Sequence, residues 1–235
     1  MKYENCMYLK WDEKIITDFS DRNVEDMYDR GYVFTRLGKG VMQQTRSLRI
    51  NLNKFDLSSE NKRVLKRTED LEPASPKGGF TIHDLESGDF EYKWGMGKLA
   101  KDFYDRFGEK TFSANKAKEL LTVPSKSNFN ILLDFDTGYV ICYASKNIFH
   151  YTYPFYSLSR PTAKDLGLGM MTRAIIWAKE QNKKFIYLGS ASRTSDTYKL
   201  QFTGLEWWDR GSPEQGEGGW NNDTTKLKRI ITPLR

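Results

Sequence analysis

One stretch constrains the fold more than any other: "KDLGLGMMTRAIIWAKEQNKKFIYLGS", residues 164–190. It begins with two glycines, Gly167 and Gly169, continues with apolar residues at helical spacing, and ends as a short apolar strand. An aromatic strand, "IFHYTYPFYSLS", precedes it. A strand, a glycine turn, a helix over residues 169–181 and a second strand in succession predict a βαβ unit, which is normally right-handed with parallel strands.

The segments before this unit predict a mixture of helices and antiparallel strands. Two helices interrupted at Gly108 precede a β-hairpin around residues 136–138. In the first half, residues 21–32 have the pattern of a short helix. Residues 45–55 alternate like a half-buried strand, in which Arg49 would point away from the core. Together these patterns predict an α+β fold built on a mixed α/β sheet.

Charge divides the chain into two parts. Nine basic and two acidic residues lie between Arg36 and Arg67, whereas seven acidic and two basic residues follow up to Gly95. This change predicts a basic N-terminal domain over residues 1–95 and a second domain over residues 96–235. A basic segment of this kind attracts a polyanion or an acidic peptide. The alternative is an ordinary solvated face.

The cysteines and the N-terminus indicate the compartment. The chain has two cysteines, Cys6 and Cys142, which form no Cys-x-x-Cys pair. A disulfide framework or a four-cysteine metal site within the chain is thereby excluded, and we predict no metal. The first ten residues have no apolar core of a signal peptide, and no apolar stretch is long enough to span a bilayer. The sequence therefore predicts a cytoplasmic protein with no membrane partner.

The glycine turn has the composition of a phosphate site. Glycines let backbone N–H groups approach a ligand closely, and a helix N-terminus adds unpaired N–H groups and partial positive charge. Because short motifs of this kind also occur for turn geometry alone, an empty turn is the alternative. The predicted phosphate-binding residues are Arg160, Lys164, Gly167, Gly169 and Arg173.

The order of strand, glycine turn, helix and strand resembles the acyl-CoA-binding half of the GNAT acyltransferase fold. The resemblance implies a GNAT-like domain in the second half of the chain, preceded by a smaller N-terminal α+β domain. In that superfamily the turn holds the pyrophosphate of CoA, or the same pocket takes the end of a charged tRNA. The turn itself leaves both ligands open.

Several separated segments resemble, in the same order, the arginyl/leucyl-tRNA–protein transferase family, the N-end rule aminoacyltransferases. The segments are "CMYL", "MYDRGYVFTRLGKGVM", "SLRINLNKFDLSSENKRVLKR", "YPFYSLSRPTAKDLG" and "YKLQFTGLEW". The chain departs from that family at Ser157, which replaces an aspartate, and at Thr203 and Gly204, which replace Arg-Pro. It also lacks the family's cysteine pair.

This resemblance implies an enzyme that moves arginine or leucine from charged tRNA to the N-terminal amine of a protein, which marks that protein for degradation. Aminoacyl-tRNA is then a co-substrate, and no cofactor is expected. An aminoacyl ester is already activated, so proximity supplies much of the acceleration. Tyr198, Lys199 and Gln201 are the predicted catalytic residues around the ester, and Lys199 equally suits a tRNA phosphate.

The predicted substrate-binding residues fall into two groups. Arg46 and Arg49 would receive the carboxylate of an acidic N-terminal residue, because guanidinium matches carboxylate geometry. Tyr153, Phe155 and Tyr156 would line the aminoacyl pocket or, alternatively, pack the core.

Two alternatives to this function stay open. One is a CoA-dependent GNAT N-acetyltransferase that uses the same glycine turn, with CoA as its ligand. The other is a non-catalytic tRNA-binding protein. His83 and His150 are isolated histidines, for which we predict structural roles.

Overall fold

The computed structural model describes residues 9–69, 79–108, 112–135, 137–159, 163–211 and 218–232, without the side chains of residues 163 and 164. The helices are α1 (Asp21–Asp29), α2 (Ser59–Arg67), α3 (Trp94–Asp105), α4 (Ala114–Thr122), α5 (Ala163–Glu180) and α6 (Thr224–Ile231). The strands are β1 (Asp12–Ile15), β2 (Tyr32–Phe34), β3 (Val41–Gln44), β4 (Ser47–Asn51), β5 (Thr81–Asp84), β6 (Ile131–Asp134), β7 (Gly138–Ala144), β8 (Ile148–Tyr156), β9 (Phe185–Ser190), β10 (Leu205–Asp209) and β11 (Gly219–Asn221). Short 3₁₀ helices cover Leu52–Lys54 and Thr194–Gln201.

The strands form two sheets. The smaller sheet has the order β1-β3-β2, and the larger has the order β11-β10-β4-β9-β8-β7-β6-β5. In the larger sheet β8 and β9 are parallel and joined by α5, whereas the other neighbours are antiparallel. The predicted mixed sheet and its βαβ unit are therefore confirmed, and the arrangement is consistent with a GNAT-like acyltransferase fold.

The large sheet crosses the predicted domain boundary. Strand β4 lies between β10 and β9, and β5 forms the far edge, although both strands precede residue 95. Whether residues 1–95 and 96–235 fold independently stays a prediction. In the structure the two parts contribute strands to one continuous sheet.

Local sequence explains where the first helices begin and end. The hydroxyl of Ser20 accepts a hydrogen bond from the Asn23 amide at the start of α1, and Gly31 follows the helix with a φ of 78°. Helix α2 begins with a reciprocal capping box between Ser58 and Asn61. Helix α1 packs against one face of the large sheet, and α2 lies beside α5.

Both faces of the large sheet are covered, so the apolar residues of its central strands β8 and β9 are buried on both sides. On one face α5 packs against the sheet through Leu166, Met170, Met171, Ala174, Ile175 and Ala178. On the other face lie α1, α3 and α4, with Val24, Tyr28, Ala100, Phe103, Ala117 and Leu120. No helix in the described part of the chain combines the length and apolar character needed to cross a bilayer.

The predicted glycine turn is wrong, because Gly167 and Gly169 lie inside α5, which begins at Ala163. A Cβ atom on Gly167 would stand 2.6 Å from the phenol oxygen of Tyr156, and one on Gly169 would stand 2.5 Å from Oγ1 of Thr68. The glycines therefore allow α5 to approach β8 and α2 more closely than an alanine would permit. Packing explains them without a turn.

Candidate functional site

The two parallel strands of the large sheet separate at their C-terminal ends. Pairing joins Ile148–His150 of β8 to Phe185–Tyr187 of β9. Beyond that point β8 continues to Tyr156 and β9 to Ser190, and no further pairing joins them. The backbone groups of β8 that face β9 there have no partner in that strand. Openings at the carboxyl ends of parallel strands are where α/β sheets bind ligands.

A β-bulge changes the direction of the side chains along β8. Cys142 of β7 pairs with Tyr151, and the preceding Ile141 pairs with Tyr153, so Thr152 is the extra residue. Tyr151 consequently packs with the α5 side of the sheet, whereas Tyr153 belongs to the opposite core. The bulge occurs just where β8 stops pairing with β9.

The 3₁₀ helix over Thr194–Gln201 follows β9 and brings Tyr198 to the opening. The Tyr198 side chain is 41% exposed. Its phenol is close enough to Tyr151 and Tyr156 for electrostatic interaction. Partial burial of the phenol raises the pKa of Tyr198, and the carboxylate of Asp196 adds to the increase. Tyr198 therefore keeps its proton at neutral pH and can donate a hydrogen bond.

Lys199 and Gln201, the other two predicted catalytic residues, hold backbone in place. Lys199 is buried, and its ammonium group donates to the carbonyl of Ser190 at 2.9 Å. Burial lowers the pKa of Lys199, which Asp196 opposes from 3.8 Å. The Gln201 amide donates to the carbonyl of Tyr198 at 2.7 Å. Both side chains thus fix the end of β9 and the segment that carries Tyr198.

Two arginines that the sequence analysis missed stand at the same opening. Arg106, which caps α3, lies 5.9 Å from the ring of Tyr156 and 4.5 Å from the ring of Phe107. Arg193 follows β9 and lies 5.5 Å from the ring of Phe107. One arginine therefore lies near the end of β8 and the other just after β9. The position of Arg193 after a strand end was the available signal in the sequence.

Arg49 does not point away from the core, and that expectation was wrong. It is 8% exposed because β4 lies inside the sheet rather than at its edge. Its guanidinium contacts the carboxylates of Glu206 at 2.8 Å and Asp29 at 2.9 Å. The rings of Phe185 and Trp220 lie about 4 Å from its central carbon. The carboxylates that Arg49 binds in this structure belong to its own chain.

The other predicted substrate-binding residues are spread over the fold. Arg46 donates to the carbonyl of Ala191 at 3.1 Å, and burial lowers the pKa of its guanidinium. Phe155 is fully buried, as the core-packing alternative predicts. The phenol oxygen of Tyr153 accepts a hydrogen bond from the Arg36 amide at 3.1 Å. Of this predicted set, Tyr156 is the residue that we place at the opening.

The predicted phosphate-binding residues do not assemble around a ligand in the described part of the chain. Arg160 lies outside the described residues, as does the side chain of Lys164. Arg173 is buried and donates to the carbonyl and the hydroxyl oxygen of Thr68, each at 2.8 Å. Arg173 therefore caps the C-terminus of α2, where carbonyl groups lack helical partners.

A second concavity of about 440 Å³ lies beside the β10–β11 hairpin. It is lined by Glu206, Asp209, Gly211, Gly218, Gly219, Trp220, Asn221 and Asn222. Its two carboxylates are already paired, Glu206 with Arg49 and Asp209 with Lys226. Within residues 9–69, 79–108, 112–135, 137–159, 163–211 and 218–232, no group of three His, Cys, Asp or Glu side chains forms a metal site. We therefore take the opening between β8 and β9 as the candidate site.

Comparison with known proteins gives weak likenesses. No family model matches the chain, and no curated protein matches it. Among the solved structures that resemble it are two at 14% sequence identity. One is the C-terminal domain (DUF2156) of a protein designated a lysylphosphatidylglycerol synthetase from Agrobacterium fabrum, with a TM-score of 0.42 over 76% of this chain and 55% of that one. The other is L-PGS from Bacillus licheniformis, with a TM-score of 0.40 over 91% of this chain and 71% of that one.

The chain thus spans about half the length of the first of these structures. Neither structure carries a name from the arginyl/leucyl-tRNA–protein transferase family, so that resemblance stays a prediction. We therefore base the proposed function on this chain's own residues.

Proposed function

We propose that the chain is an aminoacyl-tRNA-dependent transferase that moves arginine or leucine from charged tRNA to the N-terminal amine of a protein. The observation that carries the proposal is the opening between β8 and β9, with Tyr198 at its mouth. Unpaired strand backbone can hold an extended ligand by hydrogen bonds, and the protonated phenol supplies a donor beside it.

The reaction needs little more than position and one donor. A neutral amine attacks the ester carbonyl of the aminoacyl-tRNA, and a C–N bond forms. The negative charge that develops on the carbonyl oxygen accepts a hydrogen bond from Tyr198. The C–O bond to the ribose then breaks, and the ribose oxygen receives the proton that the amine loses. Preorganised donors of this kind and the close approach of the reactants are the main sources of rate acceleration.

Charged tRNA fits the surface around the opening better than CoA does. The glycines that would cradle a pyrophosphate are used for packing, and Arg173 caps α2. Helix α2 itself packs beside α5 and exposes a row of cations, in which Lys62 and Lys66 have no carboxylate partner among the described residues and Arg63 and Arg67 are paired with Glu60. Such a row suits the backbone of a nucleic acid, because phosphate neutralisation releases counterions.

The test is a transfer assay with competing donors and acceptors. The protein is incubated with radiolabelled arginyl-tRNA or leucyl-tRNA and with peptides that begin with Asp, Glu, Lys or Ala. Acetyl-CoA is the parallel donor. Lysyl-tRNA with phosphatidylglycerol vesicles is a further arm, chosen for the names of the two solved structures. We expect label to move from arginyl- or leucyl-tRNA to one class of peptide.

Other outcomes replace the proposal with a definite alternative. Transfer from acetyl-CoA alone would make the chain an N-acetyltransferase. Transfer to lipid alone would keep the tRNA donor and remove the protein acceptor. Binding of tRNA without transfer to any acceptor would indicate the non-catalytic tRNA-binding protein.

A further inference from the structure

The opening between β8 and β9 carries two guanidinium groups whose charges have no carboxylate partner among the described residues. Arg106 and Arg193 are both exposed, and the side-chain contacts of both are with aromatic rings. Elsewhere in the described chain, Arg30, Arg49, Arg63 and Arg67 each form an ion pair with a carboxylate. Arg106 and Arg193 are therefore available to an anionic ligand.

Aromatic rings fix the position of both arginines. The guanidinium of Arg106 lies 3.9 Å from the ring centre of Phe103 and 4.5 Å from that of Phe107. Arg193 approaches the same Phe107 ring at 5.5 Å. Phe107 itself is 46% exposed. Cation–π contact holds the arginine side chains in place and leaves N–H groups free at the edges of the guanidinium planes.

The nearest acid does not neutralise this charge. One carboxylate oxygen of Asp196 accepts hydrogen bonds from the amides of Ser192 and Arg193, at 2.9 and 3.0 Å. Its other oxygen faces the buried ammonium group of Lys199 at 3.8 Å. Asp196 is thus engaged with backbone and Lys199, and the mouth of the opening remains positive.

We propose that Arg106, Phe107 and Arg193 form a binding site for the single-stranded 3′ end of an RNA. Nucleobases stack on aromatic rings and on guanidinium planes, and phosphates accept hydrogen bonds from guanidinium edges. A lone carboxylate would use one guanidinium and leave the exposed ring without a partner. The choice of RNA rests on the proposed function, in which this end carries the aminoacyl ester into the opening.

The experiment measures binding of an uncharged RNA separately from transfer. A fluorescent short RNA ending in CCA is titrated with the protein, and anisotropy is followed at several salt concentrations. The variants are Arg106→Gln and Arg193→Gln. The matched control is Arg22→Gln, which removes another exposed arginine, from α1. We expect each test variant to bind about tenfold more weakly, with the salt slope lower by about one. The control variant should stay within about twofold of the wild type.

Three results would overturn the inference. Equal RNA affinity in Arg106→Gln, Arg193→Gln and Arg22→Gln would remove the site. The site would also be removed if both test variants lost affinity for an acidic peptide while their affinity for the RNA stayed unchanged. Failure of the wild-type chain to bind the RNA would have the same consequence. An unfolding temperature equal to that of the wild type shows that the variants are folded, as expected for substitutions of exposed side chains.

The transfer assay distinguishes this inference from the proposed function. A wild-type chain that binds the RNA through the two arginines and transfers nothing supports the site and removes the proposed reaction. A chain that transfers normally while both variants bind RNA like the wild type keeps the reaction and removes the site.

Discussion

The two ends of the β8–β9 pair differ in how they use polar side chains. At the paired end, Arg49 contacts two carboxylates and His150 contacts the phenol of Tyr28 at 2.8 Å. At the open end, Arg106 and Arg193 rest on aromatic rings and meet no carboxylate in the described chain. A guanidinium with internal partners serves the fold, whereas one without them is available to a ligand.

The strand pairing explains this difference. At the paired end β4, β9 and β8 lie side by side and are covered on both faces, so a polar group there needs an internal partner. At the open end the strands separate, and the side chains of Arg106, Arg193 and Tyr198 are exposed to solvent. Substitutions at the paired end should therefore reduce stability, and those at the open end should reduce activity or binding.

The largest effect should come from Arg49→Met. This change leaves Glu206, whose side chain is 14% exposed, without its closest cation. Removing one partner of a buried ion pair costs about 3 kcal/mol of unfolding free energy. Urea unfolding measures this loss of unfolding free energy. The matched variant Arg106→Met, at the open end, should change the unfolding free energy by less than about 0.5 kcal/mol.

A double variant separates the ion pair from simple packing. Arg49→Met combined with Glu206→Met removes both charges and should recover part of the lost stability. Equal unfolding free energies for Arg49→Met and Arg106→Met would contradict the contrast between the two ends.

The next effect should appear in activity alone. Tyr198→Phe removes the donor at the open end, and loss of one such donor lowers the rate roughly 100-fold. Single-turnover transfer from charged tRNA measures the chemical step. The control is Tyr92→Phe, which removes the phenol of a residue just before the N-terminus of α3. This variant should transfer at the wild-type rate. A wild-type rate in Tyr198→Phe would remove the phenol from the mechanism.

Local patterns predicted much of the fold. Helices α3 and α4 lie on either side of Gly108 as predicted, and β6 and β7 pair antiparallel as the predicted hairpin requires. At the start of α4 the Ser113 hydroxyl accepts a hydrogen bond from the Lys116 amide at 3.1 Å. Helix α1 lies within the predicted helical segment of residues 21–32, and it buries Val24, Met27 and Tyr28. These features depend on residues close together in sequence, and they are the features that propensity and capping describe.

The site could be predicted only in part, because it depends on contacts between distant segments. The exposed position of Arg49 was expected from alternation within β4, but strands β9 and β10 enclose it. Arg106 and Arg193 belong to no motif, and Phe107 brings them together only in the fold. Tyr198, found by resemblance, lies at the opening, whereas Lys199 beside it faces inward.

Acid should weaken the paired end through His150. Burial lowers the pKa of His150 to about 3, and the charge of Lys199 acts in the same direction. In the unfolded chain the histidine takes up a proton below about pH 6.5, whereas the folded chain keeps it neutral. Stability is therefore lost as the pH falls from 6.5 towards 3. We expect a loss of about 2 kcal/mol between pH 7 and pH 5.

His150→Asn provides the comparison, because asparagine does not titrate. Its unfolding free energy should be lower at pH 7 but should change less between pH 7 and pH 5. Glu25, whose pKa is lowered by hydrogen bonds from Ser145 and Asn147 against the effect of burial, loses its contribution at lower pH. Parallel pH profiles for the wild type and His150→Asn would show that folding does not lower the pKa of His150.

The smallest effects come from one substitution at two positions of α5. Gly169→Ala places a Cβ against Thr68, which also holds Arg173, and should cost about 1–2 kcal/mol of unfolding free energy. Gly167→Ala instead pushes on the phenol of Tyr156, the flexible end of a side chain at the open end. It should therefore reduce transfer more than stability.

Gly95→Ala in α3 is the control for both variants, because no atom lies within 4 Å of its added Cβ. An alanine there should raise the unfolding free energy by about 0.5 kcal/mol, since glycine is the poorer helix former. The sign of the stability change thus separates a contact from a propensity effect. If Gly169→Ala also stabilised the protein, α5 would not be packed as closely against α2 as the distance from the added Cβ to Thr68 indicates. The hydrogen bonds from Arg173 to Thr68 would then no longer explain why Arg173 is unavailable to a phosphate.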